Sequence, residues 1–374
     1  MNKIRYQVVI NTIDSGMISV LSFAIFIFVK DQYGLDILGY LGILLAITAF
    51  VETIHNSLFQ KPALMGFKTG LEKVNINKFN ILILIFTPLL FVNSLILSGY
   101  FLSSFLFIST FIYVQNIRIY DYVKTKYSKI LIRSFSISIS SILYLVFIHT
   151  NTIESDLNNI LYFVSFVRVL FILPNQKYLF TNYNLDSVNK GLDFLFNSSM
   201  SLIRNRLPLI ALLPFGLSFL GVYEVFRNII EIYMAPSKAI FLTVQKNLDT
   251  STLKKIKSLG FISGLITNFL IILSYNKLLA LDIFQIEALK KVNILPILLL
   301  YTIFTYYSDT LSLLLQYKKK IKTDTLNKLL TVTLFIFINL VFINYVNFEI
   351  YLYLVSGMYF LNILFSTRKL RNDK

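Results

Sequence analysis

Twelve apolar stretches of bilayer length run through this 374-residue chain and leave no room for a water-soluble fold. A membrane span needs about 20 mostly apolar residues. Candidate spans lie near 12–29, 37–58, 79–97, 100–117, 130–149, 158–174, 195–214, 219–241, 257–274, 292–315, 328–345 and 348–366. Inside lipid, helices satisfy their backbone polar groups within each segment. The expected fold class is an all-α polytopic membrane protein with about 12 transmembrane helices. Lysine and arginine load every second connector. They stand at Lys61, Lys68, Lys73 and Lys78, at Arg118, Lys124, Lys126 and Lys129, and at Lys177 and Lys190. They return at Lys246, Lys254, Lys255 and Lys257, and at Lys318, Lys319, Lys320, Lys322 and Lys328. The intervening connectors hold only Lys30, Lys277, Lys290 and Lys291. The positive-inside rule reads this pattern, with Lys3, Arg5, Arg368 and Lys369 at the ends, as N-in and C-in. The abundance of Ile, Asn, Lys and Phe points to an AT-rich bacterial genome, hence to the cytoplasmic (inner) membrane.

The net charge of +16 invites a nucleic-acid reading. Most of that excess sits in short cytoplasmic connectors, where it sets orientation and meets anionic lipid, so no nucleic-acid partner is expected. Cysteine is absent, which excludes disulfides, thiolate metal sites and cysteine nucleophiles. No cleavable signal peptide is expected, because no A-x-A site follows the first apolar run. The two histidines, His55 and His149, fall on opposite sides of the membrane, so no metal site is expected. Walker, nucleophile-elbow and zincin motifs are missing, so neither an enzyme nor a cofactor is expected.

The chain echoes itself. Gly34-Leu35-Asp36-Ile37-Leu38-Gly39 precedes the second span, and Gly216-Leu217-Ser218-Phe219-Leu220-Gly221 precedes the eighth. Both read G-L-x-x-L-G, each in an outside turn between the first and second helix of a six-helix set. This predicts two parallel pseudo-repeats, 1–184 and 185–374, because six spans return the chain to the same side. Two such bundles can rock about a central cavity.

Ionisable residues inside a bilayer cost a few kcal/mol each and are functional candidates by default. Glu224, Arg227, Glu231 and Lys238 fall within an arc of about 60° on the eighth span. Arg227 and Glu231, four apart, can pair. Either they line a wet cavity or they form an ion-pair stripe that fixes packing. On the seventh span, Arg204 shares a face with Asn197 and Ser201. Arg206 points about 200° away, toward the partner bundle or an acidic group. Glu52 and His55 on the second span, with Asp309 on the tenth, are candidates for ion coupling. Arg168 lies mid-span, Arg133 sits where it can snorkel, and Asp14 starts the first span. Intramembrane arginines outweigh the acids here, and a net-positive cavity suits an anionic cargo gripped by guanidinium.

Phe28 to Pro62 resembles the first hairpin of polysaccharide flippases, the O-antigen or capsule branch of the MOP superfamily. The resemblance rests on the short outside turn, the run Gly39-Tyr40-Leu41-Gly42 and a polar second helix. It recurs from Ser201 to Leu248, where Arg204-Asn205-Arg206-Leu207 precedes Leu220-Gly221-Val222-Tyr223. Asn205 stands where relatives often carry an aspartate. The resemblance implies a MATE-like V-shaped transporter for an undecaprenyl-pyrophosphate-linked oligosaccharide, flipped from inner to outer leaflet for surface polysaccharide synthesis. Arg204, Arg227 and Lys238 would meet phosphate, with Glu224 and Glu231 orienting the arginines. A polysaccharide polymerase and glycosyltransferases would be functional neighbours. A drug or cation exporter of the same superfamily and a membrane-embedded polymerase are the alternatives.

Overall fold

The computed structural model describes residues 2–55, 57, 98–123, 126–151, 156–172, 186–212, 216–246, 250–279, 293–318, 320–342 and 347–371. Apart from a 3-10 turn at Ser98–Tyr100, the described elements are α-helices. Helix α1, Asn2–His55, breaks at Gly34 into two arms, 2–33 and 35–55. Then follow α2 (Phe101–Val123), α3 (Tyr127–Asn151), α4 (Leu157–Ile172), α5 (Asp186–Leu212) and α6 (Leu217–Lys246). The chain ends with α7 (Thr250–Leu279), α8 (Ile294–Tyr317), α9 (Ile321–Phe342) and α10 (Phe348–Arg371). The expected third span, 79–97, and the expected boundary at 184/185 lie outside the described residues.

Among the described residues, five helical segments are long and apolar enough to cross a bilayer: Val9–Ile54, Tyr127–Thr150, Ile294–Gln316, Ile321–Val341 and Glu349–Leu370. Large apolar side chains face outward on α3, α7 and α9, with Ile132 63%, Leu273 64% and Leu340 69% exposed. A water-facing surface of that kind would aggregate, whereas lipid accepts it. The protein is a multi-pass membrane protein. α5 and α6 are not among the five, because they carry the charged residues considered below.

Packing sorts the helices into two groups. α2 packs on α4, and α3 on α1; in the other group α8 packs on α7 and α10, and α9 on α5. The groups meet where α1 lies along α6, the most extensive helix contact among the described residues.

That contact is built by the two G-L-x-x-L-G segments. A Cβ on Gly39 would sit 2.5 Å from the Leu217 carbonyl oxygen, and one on Gly221 would sit 2.5 Å from the Leu35 carbonyl oxygen. These two approaches exchange under the 182-residue offset that also relates Asp36 to Ser218, whose Oγ donates to Asp36 Oδ1 at 2.6 Å. Gly34 and Gly216 both have positive φ, 81° and 102°, a turn that a side chain would strain. The two segments therefore meet about a local twofold axis at one end of the bundle.

Candidate functional site: buried charge clusters

Glu224 is the hub of the first cluster. It lies on α6 with no exposed surface. Arg227 Nε and Nη2 donate to its Oε2 at 3.0 and 2.6 Å. Arg206 on α5 donates to its Oε1 at 3.3 Å and to the Leu45 carbonyl of α1 at 3.5 Å. Arg206 thus touches both an acid and the opposite helix group. Arg227 Nη1 also reaches Glu231 Oε1 at 2.7 Å. The spacing 224, 227, 231 stacks these groups on one helix face. Gly42 on α1 gives them room: a Cβ there would lie 2.6 Å from Glu224 Cγ. Glu231 is the open member, its side chain 38% exposed against 10% for Arg227.

Arg204 anchors a second cluster between α5, α8 and α10. Its guanidinium is buried, with Nη1 donating to Ser308 Oγ at 2.9 Å and Nη2 to Asp309 Oδ1 at 3.1 Å. The Tyr359 ring lies 4.6 Å from its central carbon, and Tyr359 itself donates to Asn205 Oδ1. The opening again falls on the acid: Asp309 is 46% exposed and Arg204 2%. The described groups thus form two charge-balanced clusters. In each, the guanidinium is inside and one carboxylate faces outward.

The third cluster collects residues that sequence reasoning missed. Asp324 and Lys328 pair at 2.8 Å on α9, both essentially without exposure. Asn197 donates to Asp324 Oδ2 at 2.7 Å and accepts from Lys328 Nζ at 2.9 Å. Ser312 and Gln316 of α8 also donate to Asp324 Oδ2. Ser201 bonds back to the Asn197 carbonyl. Asn197 and Ser201 therefore belong to an α5–α8–α9 knot beside the Arg204 cluster. Lys328 corrects the sequence reading, which placed it at the connector; α9 starts at Ile321 and buries it. The signal was there, an acid four residues ahead of a lysine. Breaking one partner of a buried pair costs about 3–5 kcal/mol. Asp324→Asn should therefore lower thermal stability in detergent sharply, and Asp324→Leu with Lys328→Met should recover most of it. Equal melting points for Asp324→Asn and the parent would refute the structural role.

Glu52 is half-buried on the second arm of α1. The side chains of His55 and Lys238 lie outside the described residues. His149 is exposed and meets Gln32 at 3.2 Å. Arg133 does not snorkel: it is buried and pairs with Asp121 at 2.6 Å. Asp14 binds Arg118 and Ser134. Among the described residues, no group of three or more His, Cys, Asp or Glu side chains could hold a metal.

The helix arrangement has solved counterparts. The chain matches the MATE multidrug transporter DinF-BH with a TM-score of 0.70 at 15% identity, covering 99% of this chain and 95% of that one. The chain has the MATE transporter fold. A mutant of the Vibrio cholerae MATE transporter VcmN matches with a TM-score of 0.52 at 12% identity, over 99% and 98% of the two chains. No family model and no curated protein matches the chain significantly. The two helix groups and their contact through α1 and α6 frame the charged residues. The charge clusters lie on that contact and in the second group.

Proposed function

We propose that this protein is a transporter of MATE architecture whose cargo is a lipid-linked oligosaccharide, carried by its pyrophosphate from the inner to the outer leaflet. It works without catalysing chemistry on the cargo, in a bacterial cytoplasmic membrane with both termini inside. The observation that carries this reading is the asymmetry of the two pairs Arg227–Glu231 and Arg204–Asp309. A buried guanidinium needs an anion at all times. An exposed carboxylate can exchange its partner for water. A phosphate can therefore replace Glu231 or Asp309 without changing the buried charge, and it fits the guanidinium fork at least as well. Repeat halves 1–184 and 185–374 would rock about the α1–α6 contact.

The same exposed acids favour a second reading, export of an organic cation, which would meet Glu231 and Asp309 directly. Proteoliposomes separate the two. Lipid-linked pyrophosphoryl oligosaccharide should become accessible to an impermeant lectin only when the protein is present. Arg227→Ala and Arg204→Ala should each cut that rate at least about tenfold, the equivalent of ~1.4 kcal/mol, at equal abundance in the membrane. Parent-like rates in both variants would remove the arginines from the cargo path. Movement of a cationic dye, with none of the lipid-linked sugar, would make the protein an exporter.

A further inference from the structure

A different set of arginines lies within the first helix group, away from the clusters above. Arg118 on α2, Arg133 on α3 and Arg168 on α4 line one cavity of about 50 Å3, together with Gln115, Ser134 and Ser138. Among the described residues, two acids answer these three cations. Asp14 takes Arg118, whose Nη1 goes to Gln115 at 3.1 Å. Asp121 takes Nη2 of Arg133 at 2.6 Å. Arg168 has no carboxylate among the described residues. Its Nη1 donates to the Phe107 carbonyl at 3.2 Å, and its central carbon lies 4.3 and 5.1 Å from the Phe107 and Phe111 ring centroids. Among the described residues the cavity wall thus carries one uncompensated positive charge, and Arg168 is only 7% exposed. A second feature points the same way. Nη1 of Arg133, a residue 5% exposed, is buried with no hydrogen-bond partner among the described residues.

A charge held out of water needs a counter-charge, and an aromatic face supplies only part of it. Water can satisfy the spare N–H groups but cannot balance the charge. The volume admits a few waters or one halide with a water. It is far below the 300–1,000 Å3 of ordinary ligand pockets, so neither a sugar nor a pyrophosphate fits. We propose that this cavity is a binding site for a small monovalent inorganic anion of chloride size, held by Arg168 and by Nη1 of Arg133. The anion would complete the packing of α1–α4 and tie their stability to halide concentration. The site is separate from the proposed cargo path and stands whether or not that reading holds.

The test uses the full-length protein in detergent at constant ionic strength, with chloride or bromide replacing gluconate, which is too large for the cavity. The midpoint of thermal unfolding should rise with chloride and with bromide and then saturate. Arg168→Gln should be stable in gluconate and should lose the halide-dependent rise. A rise that is equal in gluconate, or that survives unchanged in Arg168→Gln, overturns the proposal. Should Arg168→Gln fail to fold, 35Cl NMR line broadening of the parent protein decides alone. Excess broadening displaced by bromide supports the site, and broadening no greater than that of a halide-inert membrane protein refutes it, leaving water as the occupant.

Discussion

Glu224→Gln is expected to rank with Asp324→Asn among the most damaging substitutions at the described residues, costing about 3–5 kcal/mol of stability. The side chain is wholly buried and serves two guanidiniums from two helices. Glutamine keeps the shape and one acceptor oxygen. It removes the charge and turns an amide N–H2 toward an arginine, which is itself only a donor. Arg227 would retain Glu231 at 2.7 Å, but Arg206 would keep only the Leu45 carbonyl at 3.5 Å among the contacts seen here. The uncompensated charge would sit where α5, α6 and α1 converge. Glu231→Gln offers the internal comparison. That carboxylate is 38% exposed and solvent-screened, so its loss should cost about 1 kcal/mol or less. Thermal unfolding of the two variants in detergent, followed by size-exclusion chromatography, ranks them. Arg206→Met added to Glu224→Gln should restore part of the lost stability, because it removes the stranded cation. If the two glutamine variants unfold together, Glu224 is not the hub.

The same residues show what could be read from the chain and what could not. The membrane class was legible because apolar runs of bilayer length admit no other solution. The Arg227–Glu231 pair was legible because it is local to one helix. Partners remote in sequence were not. Arg204 meets Ser308 and Asp309 more than a hundred residues away, and Asn197 meets Asp324 across 127. No periodicity within α5 announces either contact. Hydropathy also misplaced the helix ends. It averages over a window, so a buried Asp–Lys pair at 324 and 328 looks like a connector, although pairing and hydrogen bonds let both groups enter the core. Arg118 was set aside as an orienting charge for the same reason, yet it closes on Asp14 of α1. The sign of the candidate site was the hardest to foresee. Counting arginines predicted an open basic chamber, whereas pairing decides which charge faces outward, and at both clusters that charge is the carboxylate.

Valine at Gly39 or Gly221 is expected to prise apart the end of the bundle where the two G-L-x-x-L-G segments meet. Either Cβ would fall 2.5 Å from a backbone carbonyl oxygen, and neither oxygen belongs to a side chain that can rotate away. The helices must separate by roughly 1 Å to reach ordinary contact. Overpacking of this kind costs about 1–3 kcal/mol, a shift of roughly 5- to 150-fold in the closed population. The chain has no native cysteine, so one engineered pair reports that population without interference. Asp36→Cys with Ser218→Cys replaces a direct 2.6 Å contact and should cross-link rapidly under oxidation. Gly39→Val and Gly221→Val should each slow that reaction, and by similar factors, because the local twofold makes the two clashes equivalent. Gly357→Ala, where an added Cβ meets nothing within 4 Å, should leave the rate unchanged. A large effect from one glycine and none from the other would break the twofold relation of the two segments. No effect from either would mean that this end is already apart in the membrane. Under the proposed rocking motion the same cross-link, once formed, should also arrest flipping and release it again on reduction, because it locks one end of the α1–α6 contact about which the halves would rock.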